Sequence, residues 1–188
     1  MKIYLAGPDV FLRDAVDVGR VKAEICARHG LTGLYPLDNK VNVESRSASR
    51  RIFRGNEAMM GEAKAIIANL TPFRGPSADV GTVYELGYMA ASGKLCLGYS
   101  NDPSLYVERV AKFDRIRKRG KRLADSDDLT VENFDLPDNL MIVHALNIHG
   151  CPLIVPKRAS KDTWYDLASF EACVVLAARR LRGAPKSC

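Results

Sequence analysis

Two carboxylates six residues apart form the densest group of reactive side chains in the sequence. Asp79 lies in a glycine-rich loop, and Glu85 lies in the helix predicted to follow it, within the run DVGTVYELGY (79–88). A carboxylate near a helix N-terminus is stabilised as the anion by the helix dipole and by free N–H groups. Such an anion, held at the mouth of a sheet, can act as a nucleophile. The structural alternative is that Asp79 is a turn residue and Glu85 a favourable first-turn residue.

The elements that must position this pair follow from the hydrophobic pattern. Strands are predicted at the short apolar runs, which are residues 2–6, 34–35, 65–70 and 95–99. Amphipathic helices are predicted between and after them, at 12–29, 47–63, 82–92 and 163–182. This alternation predicts an α/β fold with a parallel sheet and helices on both faces. Ligands of such sheets bind beyond the carboxyl ends of the strands, which here are residues 6–11, 35–39 and 69–85.

Several common kinds of site are not indicated. The sequence contains no GxGxxG motif, no P-loop and no GxSxG elbow, so neither a dinucleotide cofactor nor serine hydrolase chemistry is expected. The three histidines have no metal-ligand spacing with the cysteines, and we expect no metal. Cys26, Cys96 and Cys173 lie in apolar patterns and are expected to be reduced core residues.

The net charge of +6 comes from one short basic segment. Its six positive residues are Arg115, Arg117, Lys118, Arg119, Lys121 and Arg122. We expect a single domain over 1–188, with an irregular, polar insertion at about 101–137 that contains this segment. The insertion is either a solvated surface loop or a substrate lid that attracts anions. A basic surface spread over a whole face, as in nucleic-acid binders, is not indicated.

The sequence also bears on the cellular compartment. No apolar run approaches the length of a membrane span, and the N-terminal residues lack the features of a signal peptide. We therefore expect a cytoplasmic protein that does not bind membranes.

Three segments resemble the nucleoside 2-deoxyribosyltransferase family. They are YLAGPDVF (4–11), AIIANLTPFRGPSADVGTVYELGYMAASGK (65–94) and LPDNLM (136–141). The resemblance implies a flavodoxin-like (Rossmann-like) α/β fold, a homo-oligomer and no cofactor. It also implies a nucleoside-salvage activity, the transfer of a 2-deoxyribosyl group between nucleobases.

The resemblance implies roles for particular residues. Glu85 matches the nucleophile that attacks the anomeric carbon, and Tyr4 matches the tyrosine that orients it. Asp79 matches an acid that contacts the sugar or takes part in proton transfer to the base. Asn139 matches an asparagine that a neighbouring subunit supplies to the sugar.

Asn56 departs from the family pattern, because many members carry an aspartate there that contacts the leaving base. An amide can donate a hydrogen bond to a base but cannot protonate it, which leaves the general acid open. Gly7, Phe11 and Asp38 complete the expected substrate-binding residues, with Asn39 beside the last of them.

The chemistry of this reaction suits the residues. Breaking an N-glycosidic bond builds positive charge on the sugar, which an adjacent anion stabilises and then captures. Relatives that hydrolyse nucleoside monophosphates tend to have serine at the position of Asp79. A carboxylate there would repel a phosphate by about 1–4 kcal/mol at contact. We therefore expect unphosphorylated nucleosides and free nucleobases as substrates.

Two alternatives use the same sequence features. In an N-glycosidase acting on nucleosides or nucleoside monophosphates, water would resolve the glycosyl ester at the same site. In a non-catalytic nucleotide-sensing module, the basic segment would contact an acidic partner and Glu85 would be dispensable.

Overall fold

Strands and helices alternate along the first half of the chain in the computed structural model, which describes residues 1–38 and 45–183. The elements of this half are β1 (Lys2–Ala6), α1 (Ala15–Arg28), β2 (Thr32–Leu34), α2 (Ala48–Glu62), β3 (Ala65–Asn69), α3 (Val80–Ala91) and β4 (Leu95–Tyr99). Short 3-10 helices at Pro8–Phe11 and Pro36–Asp38 follow β1 and β2. The predicted alternation is therefore confirmed, with β2 placed slightly earlier than expected.

The four strands form a parallel sheet in the order β2-β1-β3-β4. Ile154 forms a parallel bridge with Tyr99 and so places a fifth backbone segment beside β4. The order 2-1-3-4-5 is that of flavodoxin-like sheets, in which β1 and β3 are neighbours although a strand and two helices separate them in sequence. The predicted flavodoxin-like α/β fold is confirmed.

The central strands are buried on both faces, and their side chains alternate between two cores. Ile3 and Leu5 of β1 pack with α1 and the last helix of the chain. Tyr4 and Ala6 point the opposite way, toward α2 and α3. This period of two fixes which residues of β1 reach the helix layer that carries Glu85.

The second half of the chain adds three helices and a small sheet. These elements are α4 (Tyr106–Phe113), β5 (Arg117–Arg119), β6 (Arg122–Ala124), β7 (Thr130–Val131), α5 (Leu140–Ile148) and α6 (Ala168–Leu181). Helix α5 joins the core on the Tyr4 face, and α6 joins the opposite core. None of the helices in the described ranges has the length and apolar character needed to cross a membrane.

Residues 101–137 differ from the irregular insertion expected from the sequence. They contain α4 and the antiparallel sheet β5-β6-β7. Gly120, with φ of 61°, lies in the two-residue turn of the β5–β6 hairpin. Arg119 and Arg122 both face Asp128, so the acidic run that follows the basic segment partly neutralises it. Strand β5 is exposed and fully charged, and β6 and β7 have only three and two residues, so none of them shows an apolar alternation that the pattern could indicate.

The C-terminal helix begins later than the sequence pattern predicts. Helix α6 starts at Ala168, and its residues Phe170 and Val174 are buried against the sheet as expected. Trp164, which the pattern placed on the same apolar stripe, lies instead in the loop before α6. The three cysteines predicted for the core, Cys26, Cys96 and Cys173, are buried and unpaired.

Candidate functional site

Tyr4 and Glu85 are joined by a short hydrogen bond between β1 and α3. The Tyr4 hydroxyl donates to Glu85 Oε1 at 2.6 Å, across a sequence separation of 81 residues. Tyr4 is fully buried, so its ring cannot turn away to solvent. Because the sheet register fixes Tyr4 on the α3 side of β1, this hydrogen bond follows from the fold.

Asn56 of α2 is the second donor to the same oxygen. Its Nδ2 donates to Glu85 Oε1 at 3.3 Å. Its Oδ1 is buried and has no hydrogen-bond partner within the described part of the chain. The hydrogen bonds among the described residues therefore converge on one oxygen of Glu85 and leave Oε2 free. A carboxylate held by one oxygen, with the other free, is arranged to act as a nucleophile.

Burial is the main electrostatic influence on Glu85 and raises the pKa of this carboxyl group. The hydrogen bonds from Tyr4 and Asn56 lower the pKa, and the negative charge of Asp79 raises it. Burial, followed by the charge of Glu85, also raises the pKa of Tyr4, so the hydroxyl remains a proton donor in its hydrogen bond. The site thus holds an acidic group whose charged form is supported chiefly by two side-chain donors.

Asp79 occupies the helix N-terminus that the sequence pattern assigned to Glu85. Helix α3 begins at Val80, and Asp79 is its N-cap, accepting from the backbone N–H of Thr82 at 2.9 Å and from its hydroxyl at 3.0 Å. Glu85 consequently lies in the second turn, where its own N–H lies inside the helix. The expectation that free N–H groups stabilise Glu85 is wrong, because the loop after β3 ends two residues earlier than predicted.

Gly7 and Phe11 lie in the segment that follows β1. A Cβ atom at Gly7 would lie 2.7 Å from the Cβ of Asn69, so only glycine permits this close approach of the ends of β1 and β3. Phe11 is 58% exposed and stacks on Phe73, with ring centroids 5.2 Å apart and an angle of 11° between the planes. The Arg74 guanidinium lies over both rings, at 5.3 Å and 4.6 Å from their centroids.

Asp38 and Asn139 make local hydrogen bonds and none with the Tyr4–Glu85 group. Asp38 is exposed and accepts from the backbone N–H of Tyr35 at 2.9 Å. Asn39 lies outside the described residues. Asn139 is the N-cap of α5, with Oδ1 accepting from the N–H of Met141 and Nδ2 donating to Glu132.

A buried ion pair beneath the loop that follows β1 was not predicted from the sequence. Asp9 and Lys22 are both almost completely buried and form an ion pair. Asp9 also accepts from Asn69, and Lys22 donates to the Tyr99 hydroxyl at 2.9 Å. Together these contacts tie the loop after β1 to α1 and to the ends of β3 and β4. The available signal was Lys22 on the apolar stripe of α1, four residues after Val18 and three before Ile25, which requires a buried counter-charge.

A second buried ion pair supports the loop that carries Asn139. Arg109 donates to Asp138 at 3.0 Å and to the carbonyl of Pro137 at 2.6 Å. Asp138 in turn accepts from the backbone N–H of Asn139 at 2.7 Å. Removing one partner of such a pair leaves an uncompensated buried charge, at a cost of about 3–5 kcal/mol.

Comparison with known proteins shows which proteins this chain resembles in sequence and fold. Residues 3–141 match the family model for nucleoside 2-deoxyribosyltransferase. Uncharacterized protein C191.05c of Schizosaccharomyces pombe is 31% identical in an alignment of 164 residues that covers 79% of this chain and 78% of the relative. The structure of 2-desoxiribosyltransferase from Leishmania mexicana is 38% identical, with a TM-score of 0.59 over 75% of this chain and 84% of the other. A conserved protein from Enterococcus faecalis V583, 17% identical, shares the fold with a TM-score of 0.56 over 94% and 98% of the two chains.

We predict that Glu85→Gln stabilises the folded chain at neutral pH but not in acid. In the folded state the pKa of Glu85 lies above its ordinary value of 4.5, so the folded chain binds this proton more tightly than the unfolded chain does. The free energy of unfolding therefore falls as the pH rises from the ordinary pKa through the raised pKa of Glu85, and it stays lower at higher pH. Glutamine removes this loss and keeps an oxygen for Tyr4. The melting temperatures of the wild type and of Glu85→Gln, measured at neutral pH and in acid, test this prediction.

Glu62→Gln is the matched control for this measurement, because Glu62 is an exposed carboxylate that ends α2. Glu62→Gln should show no comparable gain in melting temperature at neutral pH. A Glu85→Gln chain that melts below the wild type at neutral pH would contradict the prediction.

Proposed function

Because the chain belongs to the nucleoside 2-deoxyribosyltransferase family of pentosyltransferases, we propose that it exchanges the nucleobase of a 2-deoxyribonucleoside through a covalent glycosyl ester of Glu85. The observation that carries the proposal is the geometry of Glu85. Its Oε1 is held by Tyr4 and Asn56, and its Oε2 accepts no hydrogen bond from the residues that the structure describes. A nucleophile that is positioned by one oxygen and reacts through the other needs no rearrangement to attack.

The first half of the reaction breaks the bond between the sugar and the base. Glu85 Oε2 approaches C1′ as the C1′–N bond breaks, and the bonding electron pair leaves with the base. The positive charge that develops on the sugar is stabilised by the carboxylate before the ester bond forms. The Tyr4 hydroxyl keeps the carboxylate in position throughout.

The second half reverses these steps with another base. A nitrogen of the incoming base attacks C1′, the ester C–O bond breaks, and its electron pair restores the Glu85 carboxylate. The incoming nitrogen loses its proton, and the departing base of the first half gains one, so the complete exchange is balanced. Two inversions at C1′ give net retention.

Asn56 and Asp79 take supporting roles in this proposal. Asn56 holds no acidic proton, so it can hydrogen-bond a base but does not protonate it. Asp79 accepts two hydrogen bonds from Thr82 through Oδ2 and is thereby held at the start of α3. We therefore assign Asp79 to a sugar hydroxyl as an acceptor.

The chemistry at Asp79 also favours nucleosides over nucleotides. Glu85 and Asp79 place two carboxylates at the same site, since the charge of Asp79 acts on Glu85. A phosphate dianion brought near them would be repelled. We propose unphosphorylated 2-deoxyribonucleosides and free bases as the substrates.

We predict that Glu85→Ala lowers base exchange on the order of 10³-fold or more, the scale for loss of a covalent nucleophile. The assay incubates a 2-deoxyribonucleoside with and without a second free base and separates the products by chromatography. The wild type should form the new nucleoside only when the second base is present. Glu62→Ala, which removes an exposed carboxylate, should exchange bases at the wild-type rate.

Two outcomes would contradict this proposal. Normal exchange by Glu85→Ala would exclude Glu85 as the nucleophile. Release of free sugar by the wild type at the same rate with and without a second base, and with no new nucleoside formed, would identify a hydrolase.

We also propose that the enzyme is a homo-oligomer in which Asn139 completes a site on a neighbouring copy. Asn139 is half-buried, and one N–H of its amide is not used by Glu132. Large apolar side chains are exposed on three helices that pack on the Tyr4 face of the sheet. They are Phe53 of α2, Val80 and Tyr84 of α3, and Met141 of α5. Exposed apolar groups of this kind are typical of an interface between copies.

Mixing two inactive variants tests this arrangement. Glu85→Ala and Asn139→Ala should each be inactive alone, but a mixed two-fold dimer contains one site with both residues intact. Random reassociation should then restore about a quarter of the wild-type activity. Mixing Glu85→Ala with Glu85→Gln should restore none. No recovery in mixed oligomers, verified by mass, would contradict a shared site.

A further inference from the structure

Three aromatic side chains, Phe11, Phe73 and Trp164, form a cluster at the segment that follows β1. Trp164 is the single tryptophan of the sequence. Trp164 meets the ring of Phe73 edge-on, with centroids 6.1 Å apart and planes at 89°. Phe73 is itself stacked on Phe11. Phe73 follows β3 and Phe11 follows β1, so these rings lie at the carboxyl edge of the sheet, where ligands of this fold bind.

Hydrogen bonds hold the loop that carries Trp164 at the residues before and after this tryptophan. Asn101 is buried, and its Nδ2 donates to the carbonyls of Thr163 and Asp166, both at 2.8 Å. The Tyr165 hydroxyl donates to Asp14 at 2.9 Å. These contacts hold the residues on either side of Trp164 and therefore hold the indole against Phe73.

An open cleft of about 120 Å³ lies against these rings. Its walls are Pro8, Phe11, Leu12, Phe73 and Trp164, all of them apolar or aromatic. A flat heteroaromatic ring gains stacking contacts from such walls, and the contacts do not depend on which base is bound. The exposure of Phe11, at 58%, also means that a bound ring would cover apolar surface that now faces water.

We propose that Trp164 is a substrate-binding residue that forms one wall of a nucleobase subsite in this cleft. The inference rests on the proposed function for its choice of ligand. Trp164 lies outside residues 3–141, the part of the chain that matches the family. The C-terminal segment thus adds a wall to a cleft whose other walls come from the family-matching part.

Fluorescence of the wild-type chain tests the subsite without turnover. Because Trp164 is the single tryptophan, all indole emission reports on this position. Titration with free hypoxanthine and with free thymine should give saturable quenching by at least one of them, after correction with N-acetyltryptophanamide. Phe73→Leu should weaken this binding, and Phe113→Leu, which changes an exposed ring on α4, should not. Quenching by neither base beyond the correction would overturn the proposal.

Kinetics of two Trp164 variants test the role in base binding. Trp164→Leu should raise the KM for the acceptor base roughly 5- to 150-fold, the range for loss of one base–aromatic stack, with kcat close to the wild type. Trp164→Phe keeps an aromatic wall and should restore most of the affinity. An unchanged KM in Trp164→Leu, or a fall in kcat alone, would contradict the proposal. If Trp164→Leu fails to fold by circular dichroism, the wild-type titration decides.

The two experiments separate this inference from the proposed function. Saturable quenching in a chain that exchanges no bases would reject the transferase and keep the subsite. Base exchange without any quenching would keep the transferase and reject the subsite.

Discussion

The hydrogen bond from Tyr4 to Glu85 is the contact on which the candidate site depends. Burying a carboxylate costs free energy unless hydrogen bonds replace the lost water. Here a fully buried tyrosine and an asparagine supply the donors, from β1 and α2, while α3 carries the acid. Three separate elements must therefore pack correctly before Glu85 is held in place, which couples the reactive group to the integrity of the whole α/β fold.

Asp79 and Glu85 lie in different environments although they are only six residues apart in sequence. Asp79 caps α3 and accepts from two groups of Thr82, whereas Glu85 lies a turn further on, and burial raises its pKa. Two acids with contrasting surroundings can take different roles in one reaction. In this chain the capping acid suits a hydrogen-bond acceptor that contacts a hydroxyl. The partly buried acid, which is less well solvated than a surface carboxylate, suits bond formation with an electrophilic carbon.

Local patterns were sufficient to predict the sheet, because β1, β3 and β4 are continuous apolar runs. They also brought Tyr4 and Glu85 into consideration, although only the resemblance linked the two. The partners in tertiary contacts left no periodic signal. The apolar stripe of α1 could have singled out Lys22 but not its partner Asp9, and Trp164 and Phe73 lie far apart in sequence. Capping was missed because a displacement of the start of α3 by two residues changes which carboxylate occupies the helix N-terminus.

The most direct test of this account is to identify the residue that becomes attached to the sugar. The enzyme would be mixed with a 2-deoxyribonucleoside in the absence of an acceptor base, quenched in acid, digested and examined by mass spectrometry. The account predicts a 2-deoxyribosyl ester on the peptide that contains Glu85, and its disappearance when a free base is added before the quench. Release of the base with that peptide unmodified, or an ester on Asp79, would contradict it.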